Sequence, residues 1–312
     1  MSTIERPREL SEFVGQNELV SRLRIVMRGA RARDALAPHV LLSGPAGTGK
    51  TTLAGIVARE LGAKLVTVNG PSLRRPGDLA AVLADFDKDA TTVLFVDEIH
   101  RIPTVVEETL YEAMEDRTLS ILIGKNEAAR AVTLALAPFV VVGATTKPGA
   151  LSQPLRDRFG FHGVTTLYGV GDLSQIVARE WERQGHTPDI GAALVTARAA
   201  KGTPRVAIHL ATRVLDVCAL REVEVTQRQA REALSAFGID GDGLDEIDRK
   251  ILAALTGPFK GRAVGLLALA QALDMDPMTI EREHEGALVR SGYMVRTPSG
   301  RMATAQAFER SR

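Results

Sequence analysis

The stretch Leu41 to Thr52 reads L-L-S-G-P-A-G-T-G-K-T-T and fits the pattern G-x-x-x-x-G-K-[ST] at Gly44, Gly49, Lys50 and Thr51. The residue types dictate the chemistry available there. A polyphosphate wrapped in backbone N–H groups needs a chain with little side chain in the way, and Gly44, Gly47 and Gly49 supply it. Lys50 offers a point positive charge to the outer phosphates, and the Thr51 hydroxyl is a ligand for Mg²⁺. Thr48 and Thr52 belong to the same run of loop residues. The pattern predicts a nucleoside triphosphate site.

Further residues suit that site. Val93-Leu-Phe-Val-Asp97-Glu98 is an apolar strand ending in two carboxylates. Beside a phosphate loop, Asp97 suits Mg²⁺ and Glu98 suits polarising an attacking water, whereas in isolation an apolar strand ending in acids is commonplace. Gly143-Ala-Thr145-Thr146 caps another core strand, where a hydroxyl can orient water; ordinary turn-forming threonines are the bland alternative. Leu155-Arg-Asp-Arg158-Phe159 carries two arginines after a helical turn. Surface arginines usually contribute nothing measurable, but in a ring-forming ATPase Arg158 is placed to reach a neighbouring subunit's γ-phosphate. Arg205, in Gly202-Thr-Pro-Arg205, opens a helix and is either a phosphate contact or an exposed arginine.

These residues need elements to hold them. The segment His39–Ser43 reads as a buried strand and Lys50–Leu61 as a helix whose N-terminus faces the anion. An amphipathic helix precedes them, ending near Arg33. Strands at Lys64–Asn69, Thr92–Asp97 and Phe139–Thr145 alternate with helices at about 77–86 and 104–114. That rhythm, with strands apolar on both faces, predicts a parallel sheet covered on each side. Thr118 to Leu136 breaks it, reading as two alternating strands about a polar turn: a hairpin inserted in the α/β unit. From about Gly171 to Phe237 the pattern is wholly helical. After the hinge Gly238-Ile-Asp-Gly-Asp-Gly243, helical patterns at about 244–256, 264–273 and 279–290 precede Tyr293–Arg296 and Arg301–Thr304, a winged-helix plan. The expected division is a large domain at 1–167, a helical lid at 168–238 and a winged helix at 239–312.

Composition sets the outer limits. The 312 residues are 45% hydrophobic and 25% charged, which suits a globular protein of two or three domains. The net charge of +1 excludes a global basic field, so a nucleic-acid surface has to be local. One such patch exists: between Gly286 and Phe308 stand Arg290, Arg296 and Arg301 and no acid. Arg296 and Arg301 flank a tight turn, as wing residues reaching a DNA backbone do; a solvated face on a protein-binding winged helix is the alternative. The lone Cys218 has no disulfide partner and reads as a small core residue. The polar N-terminus is unlike a signal peptide and no apolar run reaches spanning length, so a cytoplasmic protein is expected.

Taken together and in order, the motifs resemble the RuvB family of AAA+ motors. The matching residues are R-P-x-x-L-x-x-F-V-G-Q at Arg6–Gln16, the phosphate loop, G-P-S-L-R-R-P-G-D-L-A-A at Gly70–Ala81 and L-F-V-D-E-I-H-R at Leu94–Arg101. They continue with A-M-E-D at Ala113–Asp116, I-L-I-G-K-x-x-x-A-R at Ile121–Arg130, G-A-T-T at Gly143–Thr146 and L-R-D-R-F-G at Leu155–Gly160. K-G-T-P-R at Lys201–Arg205 and R-T-P-x-G-R-M-A-T at Arg296–Thr304 complete the set.

The resemblance implies an AAA+ P-loop ATPase with an inserted β-hairpin, an all-α lid and a C-terminal winged helix. It implies ATP and Mg²⁺ as cofactors and a hexameric ring around the duplex DNA arms of four-way junctions. Arg6, Phe13, Val14 and Tyr168 then line the adenine pocket. Lys50, Asp97, Glu98, Thr146, Arg158 and Arg205 do the chemistry, with Thr51 and Asp97 on the metal. Ile121, Leu122 and Ile123 at the hairpin dock a RuvA-like protein, a RuvC-like resolvase shares the complex, and Arg296 and Arg301 grip DNA. Departures mark a diverged member. Ile208, His209 and Leu215 are unusual in the lid helix, Asp274-Met-Asp-Pro277 stands where a basic residue is usual, and Phe259-Lys-Gly-Arg-Ala replaces a more glycine-rich segment; the leading segment is also short. Two functions stay open at this level: an ATP-driven branch-migration motor, or a clamp-loader-like switch that binds a protein partner without translocating.

Overall fold

Val93–Val96 and Phe139–Val142 present no polar face, so the sheet containing them has to be covered on both sides. The computed structural model describes residues 6–123 and 130–310, with the side chains of residues 120–132 outside the description. In chain order, the first part runs α1 (Asn17–Ala32), β1 (Val40–Ser43), α2 (Lys50–Glu60), β2 (Lys64–Asn69), α3 (Pro76–Ala84), β3 (Thr92–Asp97) and α4 (Thr104–Asp116). It continues with β4 (Thr118–Ile123), β5 (Arg130–Ala135), β6 (Phe139–Thr145), α5 (Gln153–Asp157) and β7 (Phe161–Val164). Five strands form a parallel sheet in the order β2-β3-β6-β1-β7.

Alternation along each strand divides the side chains between two cores. Val93, Phe95, Val140 and Val142 face Leu23 of α1 and Leu53 and Val57 of α2. Leu94, Val96, Phe139 and Val141 face Leu79 and Leu83 of α3 and Val106 and Leu110 of α4. β4 and β5 pair antiparallel, from Thr118 opposite Ala135 to Ile123 opposite Arg130, giving the expected inserted hairpin. β7 was not among the expected strands. Its four residues, F-H-G-V, are too few for a period to stand out, and its place is fixed by pairing with β1.

The helical part comprises α6 (Val170–Arg183), α7 (Ile190–Ala199), α8 (Pro204–Leu220) and α9 (Gln227–Ala236). Trp181 is fully buried there, and its indole N–H donates to the carbonyl of Ala211 at 3.0 Å. Cys218 is a buried free thiol. The winged helix follows as α10 (Glu246–Thr256), α11 (Leu266–Leu273), α12 (Pro277–Thr279), α13 (Gly286–Arg290), β8 (Met294–Thr297), β9 (Gly300–Ala303) and α14 (Ala305–Arg310). Residues Ile280–Glu285 join α12 to α13 as a wider π turn, where the sequence suggests one unbroken helix. The chain groups into two compact units: one reaches Tyr168 and includes Thr203–Arg205, the other holds Gly169–Gly202 and Val206 onward.

Charged groups are buried in the second unit, where each requires a partner. Asp248 is fully buried at the start of α10; its carboxylate accepts from the Lys201 ammonium, from His284 Nδ1 at 2.8 Å and from the backbone N–H of Asp245 at 3.0 Å. Lys201 also donates to Asp245 at 2.8 Å. Asp245, Asp248 and His284 together resemble a metal-ligand set, but the cation among them is the lysine. Burial opposes the charge on Lys201, yet the two carboxylates outweigh it and hold its pKa above the ordinary value; burial likewise opposes the charge on Asp245, yet the Lys201 ammonium and the Asp248 backbone N–H outweigh it and hold its pKa low. The stability drawn from Lys201 is therefore complete below pH 10.5 and lost as pH rises through its raised pKa, while that from Asp245 is complete above pH 3.8 and lost as pH falls through its lowered one. Lys201→Met is expected to destabilise by on the order of 3 kcal/mol. Denaturant unfolding checks the magnitude, and the variant's stability should no longer show the lysine's alkaline loss.

Candidate active site

The phosphate loop leaves β1 at Ser43 and enters α2 at Lys50. Its glycines are required by geometry. A Cβ on Gly44, at φ +133°, would lie 2.2 Å from the carbonyl oxygen of Thr165; one on Gly49, at φ +97°, would lie 2.9 Å from the Phe13 ring. The loop is tied to the sheet by the Gly44 N–H, which donates to the Thr145 carbonyl at 3.1 Å. Thr48 is fully buried, its hydroxyl donating to Pro45 O at 2.8 Å and lying 2.7 Å from the Thr165 hydroxyl. Thr51 and Thr52 occupy the first turn of α2, half-buried. Lys50 turns its ammonium into the loop, donating to Gly44 O at 2.8 Å and Pro45 O at 2.7 Å. Burial depresses its pKa most; Asp97 opposes this and Arg205 adds to it. A cradle with no room for Cβ atoms, closed by a desolvated ammonium, fits a polyphosphate anion.

Sheet order brings the other candidates to this loop. β6 lies between β3 and β1, so the C-terminal ends carrying Asp97, Thr145 and the phosphate loop stand side by side. Ligands of open parallel sheets bind at these carboxyl ends. Asp97 Oδ1 accepts the Glu98 N–H at 2.9 Å, and Glu98, at φ +49°, contacts Arg101 Nη1 through Oε2 at 2.8 Å. The first threonine of the G-A-T-T motif, Thr145, is buried: its hydroxyl lies 3.0 Å from His100 Nδ1 and accepts the Lys147 N–H at 2.9 Å. Thr146 is exposed beyond the strand. Burial depresses the His100 pKa most; Glu98 opposes, and Lys147 and Arg101 add to the fall.

On the base side, Phe13 touches the loop at Gly49 and the Tyr168 hydroxyl donates to Thr48 O at 3.2 Å. Val14 is half-buried and Arg6 exposed. The segment is anchored by Gln16, whose amide donates to Thr166 O at 2.7 Å and accepts the Thr166 N–H at 3.1 Å. Arg205 is exposed, and its backbone N–H points to Gly47 O at 3.4 Å. Arg158 follows α5 and is held by Tyr111 and Glu115 of α4.

The sequence did not single out Thr165, His100, Arg101, Gln16, Tyr111 or Glu115. His100 and Arg101 stand two and three residues after the carboxylates in D-E-I-H-R, so their position in the sequence does signal them. Thr165 had no signal, because it follows the unexpected β7.

The wing differs from a bare basic patch. Arg296 of β8 and Arg301 of β9 stand directly opposite each other, an arrangement that like charges disfavour. Glu285, fully buried beneath them, bonds both: Arg296 through Nε, and Arg301 through Nε at 3.1 Å and Nη2 at 2.9 Å. The side chain of Arg296 remains 57% exposed and that of Arg301 only 16%. The local excess of three arginines is thus offset by an acid one residue outside it. The backbones of Ile121, Leu122 and Ile123 lie in β4; their side chains lie outside the described residues.

Known proteins account for the chain from end to end. Residues 5–164 match the family described as the Holliday junction DNA helicase RuvB P-loop domain, 168–240 the RuvB AAA lid domain and 241–310 the RuvB C-terminal winged helix domain. The Holliday junction branch migration complex subunit RuvB of Saccharopolyspora erythraea is 46% identical over 310 residues, covering 99% of this chain and 87% of that protein. Its counterpart in Mycobacterium avium is 46% identical over 304 residues, covering 97% and 86%. The solved structure of the Thermotoga maritima RuvB Holliday junction branch migration motor superposes with a TM-score of 0.83 at 37% identity, covering 98% of this chain and 97% of that one. Fold, loop chemistry and these relatives agree that the chain belongs to the RuvB family of ATP-driven motors for Holliday junction branch migration.

Proposed function

We propose that the chain forms a ring of six subunits in the cytoplasm, hydrolysing ATP at subunit boundaries to drive duplex arms past a four-way junction. The observation that carries this reading is the adjacency of the β1, β6 and β3 carboxyl ends, which gathers a phosphate cradle and two acids at one edge. Gly44 opens the loop with its own amide tied to Thr145, and Lys50 with the amides of Gly47, Thr48, Gly49, Thr51 and Thr52 holds the phosphates. The Thr51 hydroxyl and Asp97 carboxylate would hold Mg²⁺, which would supply neutralisation of phosphate charge. Glu98 takes the proton of the attacking water, which Thr146 orients. Arg158 enters from the neighbouring subunit and Arg205 senses the phosphates from within. Arg6, Phe13, Val14 and Tyr168 receive the adenine.

The segments 1–167, 168–238 and 239–312 then act as engine, lever and DNA grip. Ile121, Leu122 and Ile123 are the docking site for a RuvA-like protein, with a RuvC-like resolvase in the same assembly. Arg296 reaches DNA phosphate from the wing. Arg301 acts with it, though its burial against Glu285 makes much of its role the shaping of the wing.

The direct test is ATP-dependent migration of a synthetic four-way junction, with and without RuvA, using Lys50→Ala as the blank. Movement that depends on Lys50 supports the motor, and ATP turnover with no movement under either condition would overturn it. Glu98→Gln should keep nucleotide affinity while lowering kcat by at least about 100-fold, measured by single-turnover hydrolysis. Arg296→Ala should weaken duplex binding to all sequences and reduce the salt slope by about 1. Arg301→Ala should in addition lower the melting temperature, since it leaves Glu285 buried with one partner fewer.

A further inference from the structure

Helix α4 carries Glu107, Tyr111 and Glu115 at four-residue spacing, and so on one face. All three act on the two residues that flank α5, Ser152 before it and Arg158 after it. Glu107 Oε1 accepts the backbone N–H of Ser152 at 2.9 Å, and Ser152 is the residue whose hydroxyl caps α5. Tyr111 Oη accepts from Arg158 Nη2 at 2.8 Å, while its ring lies against the guanidinium with Arg158 Cζ 4.6 Å from the ring centre. Glu115 Oε2 lies 2.5 Å from the same Nη2. The guanidinium is therefore engaged through Nη2 and by its closeness to the Tyr111 ring. Its Nε is buried and has no hydrogen-bond partner among the described residues.

Such an arrangement is more than helix packing needs, because a lone arginine at a helix end can simply be solvated. The ring limits where the guanidinium can lie, and the hydroxyl and carboxylate, both on Nη2, fix which way that edge turns. A group that must meet a phosphate on another molecule gains from being aimed in advance. We propose that Tyr111 and Glu115 are positioning residues for Arg158, aiming the guanidinium that one subunit lends to its neighbour's γ-phosphate. The proposal rests on the reading of Arg158 as the residue acting in trans.

Mixed rings of the full-length chain separate the two. Donor subunits carry Lys50→Ala and lend Arg158 without turning over ATP; recipient subunits carry Arg158→Ala and hold ATP without lending a guanidinium. Recovery of ATP turnover on mixing is the baseline, and its absence would overturn the trans role of Arg158 and the proposal with it. Given recovery, Tyr111→Leu in the donor should lower the restored kcat about tenfold, with KM for ATP unchanged. Tyr111→Phe with Glu115→Gln in the donor, which keeps the ring and removes both hydrogen bonds, should also lower it several-fold. The same substitutions in the recipient, where residue 158 is already alanine, should leave the restored kcat within about twofold. Equal losses in donor and recipient would reduce α4 to a structural support. Donor variants that keep the restored rate would show that Arg158 needs no aiming. Either result overturns the proposal.

Discussion

A lysine ammonium taken out of water has to be solvated by something else, and the architecture around Lys50 follows from that need. The loop carbonyls of Gly44 and Pro45 accept its protons, which holds the loop closed around the charge. Closing the loop forces left-handed backbone at Gly44, Gly47 and Gly49 and presses the chain against Thr165 and Phe13, where a Cβ does not fit. The strand ends must then stand in a fixed register, because Gly44 bonds to Thr145 and Thr165 bonds to Ser43. The cradle thus combines a desolvated cation with a loop fixed to its neighbouring strands. That is why Lys50 sits buried at the head of α2 while most lysines of the chain lie at the surface.

The same logic recurs wherever this protein buries charge. Asp248 is solvated by Lys201, His284 and a backbone amide; Glu285 is solvated by two wing arginines that would otherwise repel each other. His284 and Glu285 are consecutive, and the π turn that carries them lets both point inward, one toward α10 and one toward the wing. The segment is thereby tied to the rest of the winged helix by charge as well as by an apolar core that includes Leu252, Leu269, Ile280 and Leu288. Lys201, at the head of K-G-T-P-R, belongs to this network, and four residues later Arg205 belongs to the phosphate loop.

Much of the fold was legible before any coordinates. β3 and β6 have the expected bounds because strands apolar on both faces stand out from their surroundings, and the hairpin showed itself by period-2 alternation. Other features were not, among them the terminal helix α14. β7 is too short for a period, and the π turn preserves helical spacing on either side, so its extra width leaves no mark on the sequence. Within the site, the loop, Asp97 and Glu98 could be read because their chemistry demands particular residue types at fixed spacing. Thr165, Gln16 and Tyr111 act from far along the chain through partners that any of several side chains could provide.

By itself, then, the sequence determined the local chemistry: a glycine loop able to wrap phosphate, a lysine and threonine at a helix start, two acids at a strand end, and the family. Those are short-range properties set by residue type and backbone freedom. Tertiary structure alone decided which groups each of them meets. It put β6 between the strand that leads into the glycine loop and the strand that ends in two acids, made Thr145 the buried threonine of its pair and Thr146 the exposed one, set Arg158 against Tyr111 and Glu115, and placed Glu285 between the wing arginines. Such partners are chosen by packing across the sheet and between helices, and packing depends on the whole chain at once.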